Sequence, residues 1–452
     1  MKRFLPLATA ACGLSLSMTA AAEDLSAVYD LAVANDAQVA AARATREADS
    51  YNATIARGGL LPQASASYTW AKGNSDSESY STVYYETTNQ FDLVLTGRES
   101  DYTATTLELN ANMPLFNLNT WYNYKAALSV DSVSDLTLKI AEQNLILRTA
   151  DVYFGILRAQ DNLAAAEAEV ESVEQSLEQV RQRYEVGLSP VTELNEAQAA
   201  YDLSYVNLLD MQASLEISYE AMESLTGSVI KDVDPLKENA DLNNPQPEDA
   251  SAWVTSGMEG FPGLLTATAQ LESARLSRNA TKSNHLPTVN LFASYSDETQ
   301  SIDGYDDDLD TTTKMYGLQV TVPLLAGGSN YAATKQAALS YAAADATLEQ
   351  QKRELKQNIR SLYLQVRNNV RNIAAREQAI RSARSALDAT ETGYKVGTRN
   401  IVELLNAKRN LFAAGRDYAN ARYDYIINLL NLKYYSGVLS EGDVAQLNTL
   451  LK

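Results

Sequence analysis

The chain is written twice. Its stretch Tyr184-Glu-Val-Gly-Leu-Ser-Pro-Val-Thr-Glu-Leu-Asn-Glu-Ala-Gln198 returns as Tyr394-Lys-Val-Gly-Thr-Arg-Asn-Ile-Val-Glu-Leu-Leu-Asn-Ala-Lys408. An offset of about 210 residues also relates Leu225-Thr-Gly227 to Tyr435-Ser-Gly437, and a similar one relates Met113-Pro-Leu-Phe116 to Val322-Pro-Leu-Leu325. Each half must therefore fold into the same series of elements. A further echo, Leu60-Leu-Pro-Gln63 against His285-Leu-Pro-Thr288, is displaced by about 225, which places an insertion of about 16 residues, expected as a loop, in the first copy.

Between Asn119 and Tyr184 there is no proline and a single glycine, Gly155, in a run dominated by Ala, Gln, Glu and Leu. That composition predicts one very long helix. Val170, Val173, Leu177, Val180 and Tyr184 recur at steps of three and four, the seam of a coiled coil. The second copy repeats the pattern from Asn330 to Lys395, with Ile373, Ile380, Leu387 and Tyr394 one heptad apart. At the helical rise each is a rod about 100 Å long. Each ends at a repeated Val-Gly, Val186-Gly187 and Val396-Gly397, where glycine suits the left-handed turn after a helix. Shorter helices return over Val191 to Leu225 and Asn400 to Tyr435, and Ala-rich helices are expected from Asn35 to Arg57 and from Gly263 to Ser283.

The strands are short and alternate cleanly. In Leu107 to Met113 the residues Leu107, Leu109, Ala111 and Met113 share one face, and Glu108, Asn110 and Asn112 the other. Tyr316 to Val322 does the same, and Gln63 to Trp70 and Thr288 to Tyr295 are their expected partners. A membrane barrel and a soluble sandwich both show this alternation. The connections Lys72 to Thr103 and Ser296 to Thr313 read as polar loops; the acidic tip 303–310 lacks the ligand spacing of a calcium loop.

The N-terminus, Lys2-Arg3 followed by an apolar stretch from Phe4 to Met18 and by Ala20-Ala-Ala22, reads as an export signal over residues 1–22. Cys12, the lone cysteine, lies inside it, so no disulfide or thiolate site is expected in the mature chain. Without Lys2 and Arg3 about 35 basic residues face 57 acidic ones, a balance that repels nucleic acid. The single histidine, His285, precedes a strand and is expected to be solvated or interfacial, and no Gly-rich phosphate loop, HExxH or nucleophile elbow is present. The expectation is a protein that is not an enzyme and uses no cofactor or metal. No mature segment has the roughly 18 apolar residues of a membrane helix, so a crossing would need strands closed into a barrel. Four strands cannot close one, since the smallest have about eight. Three copies would supply about twelve.

Gly393-Tyr-Lys-Val-Gly-Thr-Arg-Asn-Ile-Val-Glu-Leu-Leu-Asn406, supported by Ala419-Asn-Ala-Arg-Tyr-Asp-Tyr-Ile-Ile-Asn428 and the copied Val-Gly turns, resembles the TolC family of outer-membrane export channels, over essentially the whole mature chain. The resemblance implies a mainly α fold with a membrane β part. Long coiled-coil hairpins form an α-barrel, and four strands per chain complete a homotrimeric β-barrel of about 12 strands. The implied layout is first-repeat helices over 23–59, a strand pair over 60–116, a helical hairpin over 117–227 and an equatorial linker over 228–250. The second repeat then supplies helices over 251–284, strands over 285–325, a hairpin over 326–436 and an equatorial tail over 437–452.

The same resemblance implies an exit duct in the outer membrane of a Gram-negative bacterium, in contact with outer-membrane lipid and reaching into the periplasm. Its partners are a periplasmic adaptor (membrane fusion protein) and an inner-membrane RND or ABC transporter, in multidrug efflux or type I secretion. Tyr394 and Arg399 would tether the second hairpin to the first through Thr192 and Glu193, and Glu403 and Asn406 would line the constriction. Where the family has two acidic residues, Asn406 leaves one, which implies weaker cation selectivity at the entrance. Val186, Gly187, Leu188, Val396, Gly397 and Thr398 would meet the adaptor. On spacing alone, Arg399 and Glu403 form an exposed pair four apart on one helix. The alternative class is a periplasmic coiled-coil scaffold or adaptor with no pore.

Overall fold

A computed structural model describes residues 23–87 and 89–452. The expected export signal and Cys12 lie outside the described residues. The chain divides into two compact units, one comprising residues up to Ala44, Leu136–Leu265 and Gln350–Lys452, the other Thr45–Asp135 and Thr266–Glu349.

The second unit holds a four-stranded antiparallel sheet in the order β1 (Gln63–Tyr85), β2 (Gln90–Phe116), β3 (Thr288–Ile302) and β4 (Leu309–Thr321). Strand register puts Ala66 beside Leu109 and Leu109 beside Tyr295, while Met113 pairs with Leu291 and Leu291 with Leu318. The apolar residues of all four strands thus share one face. That face is uncovered in the protomer: Tyr68, Trp70, Tyr316, Leu318 and Val320 are all more than half exposed. The sequence expectation of polar loops over Lys72–Thr103 and Ser296–Thr313 is corrected here, because β1 and β2 stay in unbroken register out to Tyr85 opposite Gln90, and β3 and β4 out to Gln300 opposite Leu309. Polarity had suggested loops, but the Ser, Thr, Tyr and Val of these stretches suit a strand solvated on both faces.

The first unit is helical. Its rods are α3 (Leu118–Glu185) and α7 (Ser329–Lys395), which both begin in the sheet unit, and the returning helices are α4 (Val191–Thr226) and α8 (Ile401–Tyr435). Around them lie α1 (Leu25–Asn35), α5 (Ala250–Gly260) and α9 (Glu441–Asn448). The helices α2 (Ala37–Gly58) and α6 (Pro262–Lys282) run from this unit into the other. The tail after Ser436 contains α9, whose start is fixed by a capping box between Ser440 and Asp443.

Tyr153, Phe154, Ile156 and Leu157 of α3 are almost fully buried with Met222, Ile359, Ile426 and Leu432. Each such side chain contributes about 1.5–3 kcal/mol of hydrophobic stabilisation. Polar ties fasten the linker and tail to this core: the Tyr153 hydroxyl donates to the carbonyls of Glu23 and Asp234, and the Asn448 amide donates to Asp24 Oδ2 at 2.9 Å. The Tyr425 hydroxyl donates to the Asn243 carbonyl at 2.6 Å. Among the described residues no helix is long and apolar enough to cross a membrane.

Candidate gate at the hairpin tips

The two outgoing rods end alike. Gly187 (φ 74°) and Gly397 (φ 80°) occupy the left-handed region. The Leu188 amide donates to the Arg183 carbonyl and the Thr398 amide to the Gly393 carbonyl, both at 2.8 Å. These are the bonds that close a helix C-terminus when glycine follows it. Gly393 is needed for a different reason, since a Cβ there would meet Arg399 Cγ at 2.6 Å. Beyond the second turn the Asn400 side chain accepts from the Glu403 amide at 2.9 Å and starts α8.

All four long helices meet just behind these turns. Val173, Leu177 and Val180 of α3, Ala197 of α4, Tyr394 of α7 and Ile401, Leu404 and Leu405 of α8 form one buried cluster, flanked by Leu194, Tyr201 and Leu387. The seam expected on α3 is therefore buried as far as Val180, whereas its last member, Tyr184, is 42% exposed. The cluster joins the hairpins, so a movement of one tip against the other has to slide it.

The sequence-predicted site residues occupy this region with unequal contacts. Tyr394 is buried, its ring 5.3 Å from the Arg183 guanidinium carbon, and its hydroxyl has no hydrogen-bond partner within the protomer. Burial pushes its phenol above the ordinary value, and the charge of Glu193 pushes it further. Glu193 itself accepts a short hydrogen bond from the Ser189 hydroxyl. Thr192 is exposed. Arg399 Nη1 donates to Glu403 Oε2 at 2.5 Å, a pair between the tip turn and the first turn of α8 that is more than a third exposed on both sides. Within the protomer, then, Arg399 takes the partner that spacing alone gives it. Asn406 faces solvent, and Val186, Leu188 and Val396 are each 70% exposed at the apex. Gly187, Gly397 and Thr398 are exposed beside them.

One tie was missed by sequence reasoning. Lys408 Nζ donates to the Ser172 carbonyl at 2.8 Å and to Ser176 Oγ at 2.6 Å, fastening α8 to α3. Burial lowers the pKa of this ammonium. The signal was in the repeat itself, where Lys408 replaces the Gln198 of the first copy. Higher up, the Tyr423 hydroxyl donates to Asp161 Oδ2 at 2.6 Å, and Arg158 pairs with Asp424 at 2.6 Å. Among the described residues no cluster of His, Cys, Asp and Glu could hold a metal ion.

Paired helical rods ending in a jointed tip, and a sheet whose apolar face is bare, are the elements of a membrane channel protein. The profile of the outer membrane efflux protein family matches residues 28–228 and 259–438, and the chain belongs to that family. It is 34% identical to the outer membrane protein TolC of Vibrio cholerae, over 100% of this chain and 99% of that protein. It is 28% identical to the alkaline protease secretion protein AprF of Pseudomonas aeruginosa, over 92% of this chain and 85% of the relative. Its fold matches the crystal structure of the Campylobacter jejuni CmeC outer membrane channel with a TM-score of 0.73 at 16% identity, covering 100% of this chain and 98% of that one.

Proposed function

We propose that the chain is the subunit of a homotrimeric exit duct in the outer membrane that extends into the periplasm. It passes drugs, toxins or secreted proteins handed over by an inner-membrane transporter through a periplasmic adaptor. The observation that carries this reading is the exposed apolar face common to all four strands. A water-exposed face of that size on a sheet with two free edges, β1 and β4, is stable only against lipid and with further strands added at those edges. The family's efflux description and the relative named for protease secretion support the cargo classes.

Opening is an iris-like parting of the hairpin tips. The closed state is held by the cluster around Tyr394 and, in the assembled trimer, by Tyr394 and Arg399 reaching Thr192 and Glu193. Arg399 spends one nitrogen on Glu403 and keeps further donors for a second carboxylate. Glu403 and Asn406 line the constriction, and the exposed apex residues Val186, Leu188 and Val396 receive the adaptor. The duct is tested by reconstituting detergent-extracted protein in planar bilayers. Trimers with discrete conductance steps are expected; a freely soluble protein that leaves bilayers insulating would sink the reading.

A further inference from the structure

Helices α3 and α8 join the two hairpins of the protomer, and the polar ties along their seam are unevenly spaced. Away from the tips, the ion pair of Arg158 with Asp424 and the hydrogen bond from the Tyr423 hydroxyl to Asp161 fasten it. Near the tips Lys408 does so through Ser172 and Ser176, with the buried cluster beyond. Among the described residues no hydrogen bond or ion pair joins the two helices between Tyr423 and Lys408. There the seam opens instead into a cavity of about 360 Å³, lined by α3 and α8 and walled on a third side by α4.

The lining combines an apolar wall with unmatched charge. Phe412 of α8 and Leu203 and Met211 of α4 supply the wall, and the charged groups of the lining are Glu169, Arg409 and Arg416. Two guanidiniums therefore meet one carboxylate, a local positive excess in a chain whose net charge is −20. Glu169 and Arg409 form no ion pair and no side-chain hydrogen bond among the described residues. Arg416 has only its neighbour Asp417, at 3.6 Å, and that carboxylate is already held by Arg376 at 2.7 Å. Burial raises the Glu169 carboxyl above its ordinary value, and Arg409 and Arg416 offset only part of the rise. Along α8 the two arginines are two turns, or about 10 Å, apart, with Phe412 between them on the same side. Both are exposed, so an ion can reach them from solvent.

We infer that this cavity is a binding site for a small carboxylate with an apolar body, and that the bound molecule bridges the two hairpins. Its carboxylate takes the bidentate place on a guanidinium that Glu169 leaves unfilled, and its apolar body covers Phe412, Leu203 and Met211. With the anion in place the cavity holds two charges of each sign. A neutral molecule of the same shape gains nothing from the arginines, and a cation is repelled by their excess. Helices α3 and α4 belong to the first hairpin and α8 to the second, so a molecule seated among them spans the stretch of seam that has no direct tie. Its effect on opening rests on the gate reading above; its binding does not.

The test uses the full chain in lipid nanodiscs, with empty nanodiscs as the control and naphthalene-2-carboxylate as the probe, followed by equilibrium dialysis. Saturable binding at one site per chain is expected. Arg409→Gln combined with Arg416→Gln should weaken it at least about tenfold, as should replacing the probe by neutral naphthalene-2-methanol. Glu169→Gln should tighten it, because the carboxylate that competes for the guanidiniums is gone; a merely structural role for Glu169 would not do so. In planar bilayers the probe should lower the conductance of the wild type and not that of the double arginine variant. Absence of saturable binding, or equal binding by the wild type and the double arginine variant, overturns the inference and leaves the duct standing. Binding that leaves wild-type conductance unchanged overturns the bridging role. A protein that leaves bilayers insulating overturns the duct reading, and dialysis then still decides the site.

Discussion

Tyr394 is the residue on which packing and gating separate. Its ring fills the cluster where the hairpins meet, while its hydroxyl is buried with no partner in the protomer. Removing the hydroxyl deletes no intramolecular bond, so Tyr394→Phe is expected to leave the thermal midpoint unchanged or slightly raised, because a buried unsatisfied group is unfavourable. If the hydroxyl is a tether in the assembled duct, the same substitution, like Arg399→Ala, raises conductance in bilayers. Unchanged conductance in both variants would reject the tether assignment. Asp36 shows a residue with a purely structural role. Burial alone would raise its carboxyl, but two hydrogen bonds from Arg148, at 2.8 and 3.0 Å, and one from the Val39 amide hold it below the ordinary value. A depressed carboxyl stabilises the fold above its unfolded pKa and loses that contribution as pH falls through the folded value. The stability gap between wild type and Asp36→Asn should therefore be constant well above 3.8, the ordinary carboxyl value, and narrow as pH falls below it, as read by thermal melts across acid pH.

At the scale of elements, the tip turns were legible because their cause is local. A glycine after a helical run, followed by a polar or proline-containing reversal, dictates a left-handed turn, and both copies show one. At Gly187 and Gly397 an added Cβ would meet open space, so an alanine is penalised only by its backbone conformation. Gly187→Ala or Gly397→Ala should cost about 1–2 kcal/mol, seen as a lowered unfolding midpoint. The rods were legible for the same reason, since composition and a seven-residue period act within one segment. The outer reaches of β1 and β2 were not. Their sequence is rich in Ser, Thr, Asp and Glu, which mask the apolar residues among them, and only cross-strand pairing, such as Tyr80 opposite Leu95 and Tyr84 opposite Phe91, makes them strands. The repeat singles out Lys408, which stands where the first copy has Gln198, but its acceptors, a backbone carbonyl and a serine hydroxyl on α3, have no signature at a distance in sequence.

For the whole molecule, the decisive property is which face of the sheet meets lipid. Leu318 and Gln319 are neighbours in β4 and are both exposed in the protomer, but they point to opposite faces. In the duct, Leu318→Arg puts a charge into hydrocarbon, at about 2–4 kcal/mol near the bilayer centre, whereas Gln319→Arg faces water. Leu318→Arg should thus deplete the protein from outer-membrane fractions and Gln319→Arg should not. Equal tolerance of the two would mean that neither face is in lipid.

The sequence by itself determined the twofold repeat, the four long helices with their glycine turns, and the alternating strands, because each follows from residues close together in the chain. It also carried the family motif around Gly393 to Asn406. Only the tertiary structure decided that Tyr394 is buried where the hairpins meet, with its hydroxyl unpaired in the protomer, and that Lys408 binds α3. Those outcomes depend on which helix faces meet, and a helix presents the same periodic pattern to every neighbour it could have, so local sequence cannot choose among them.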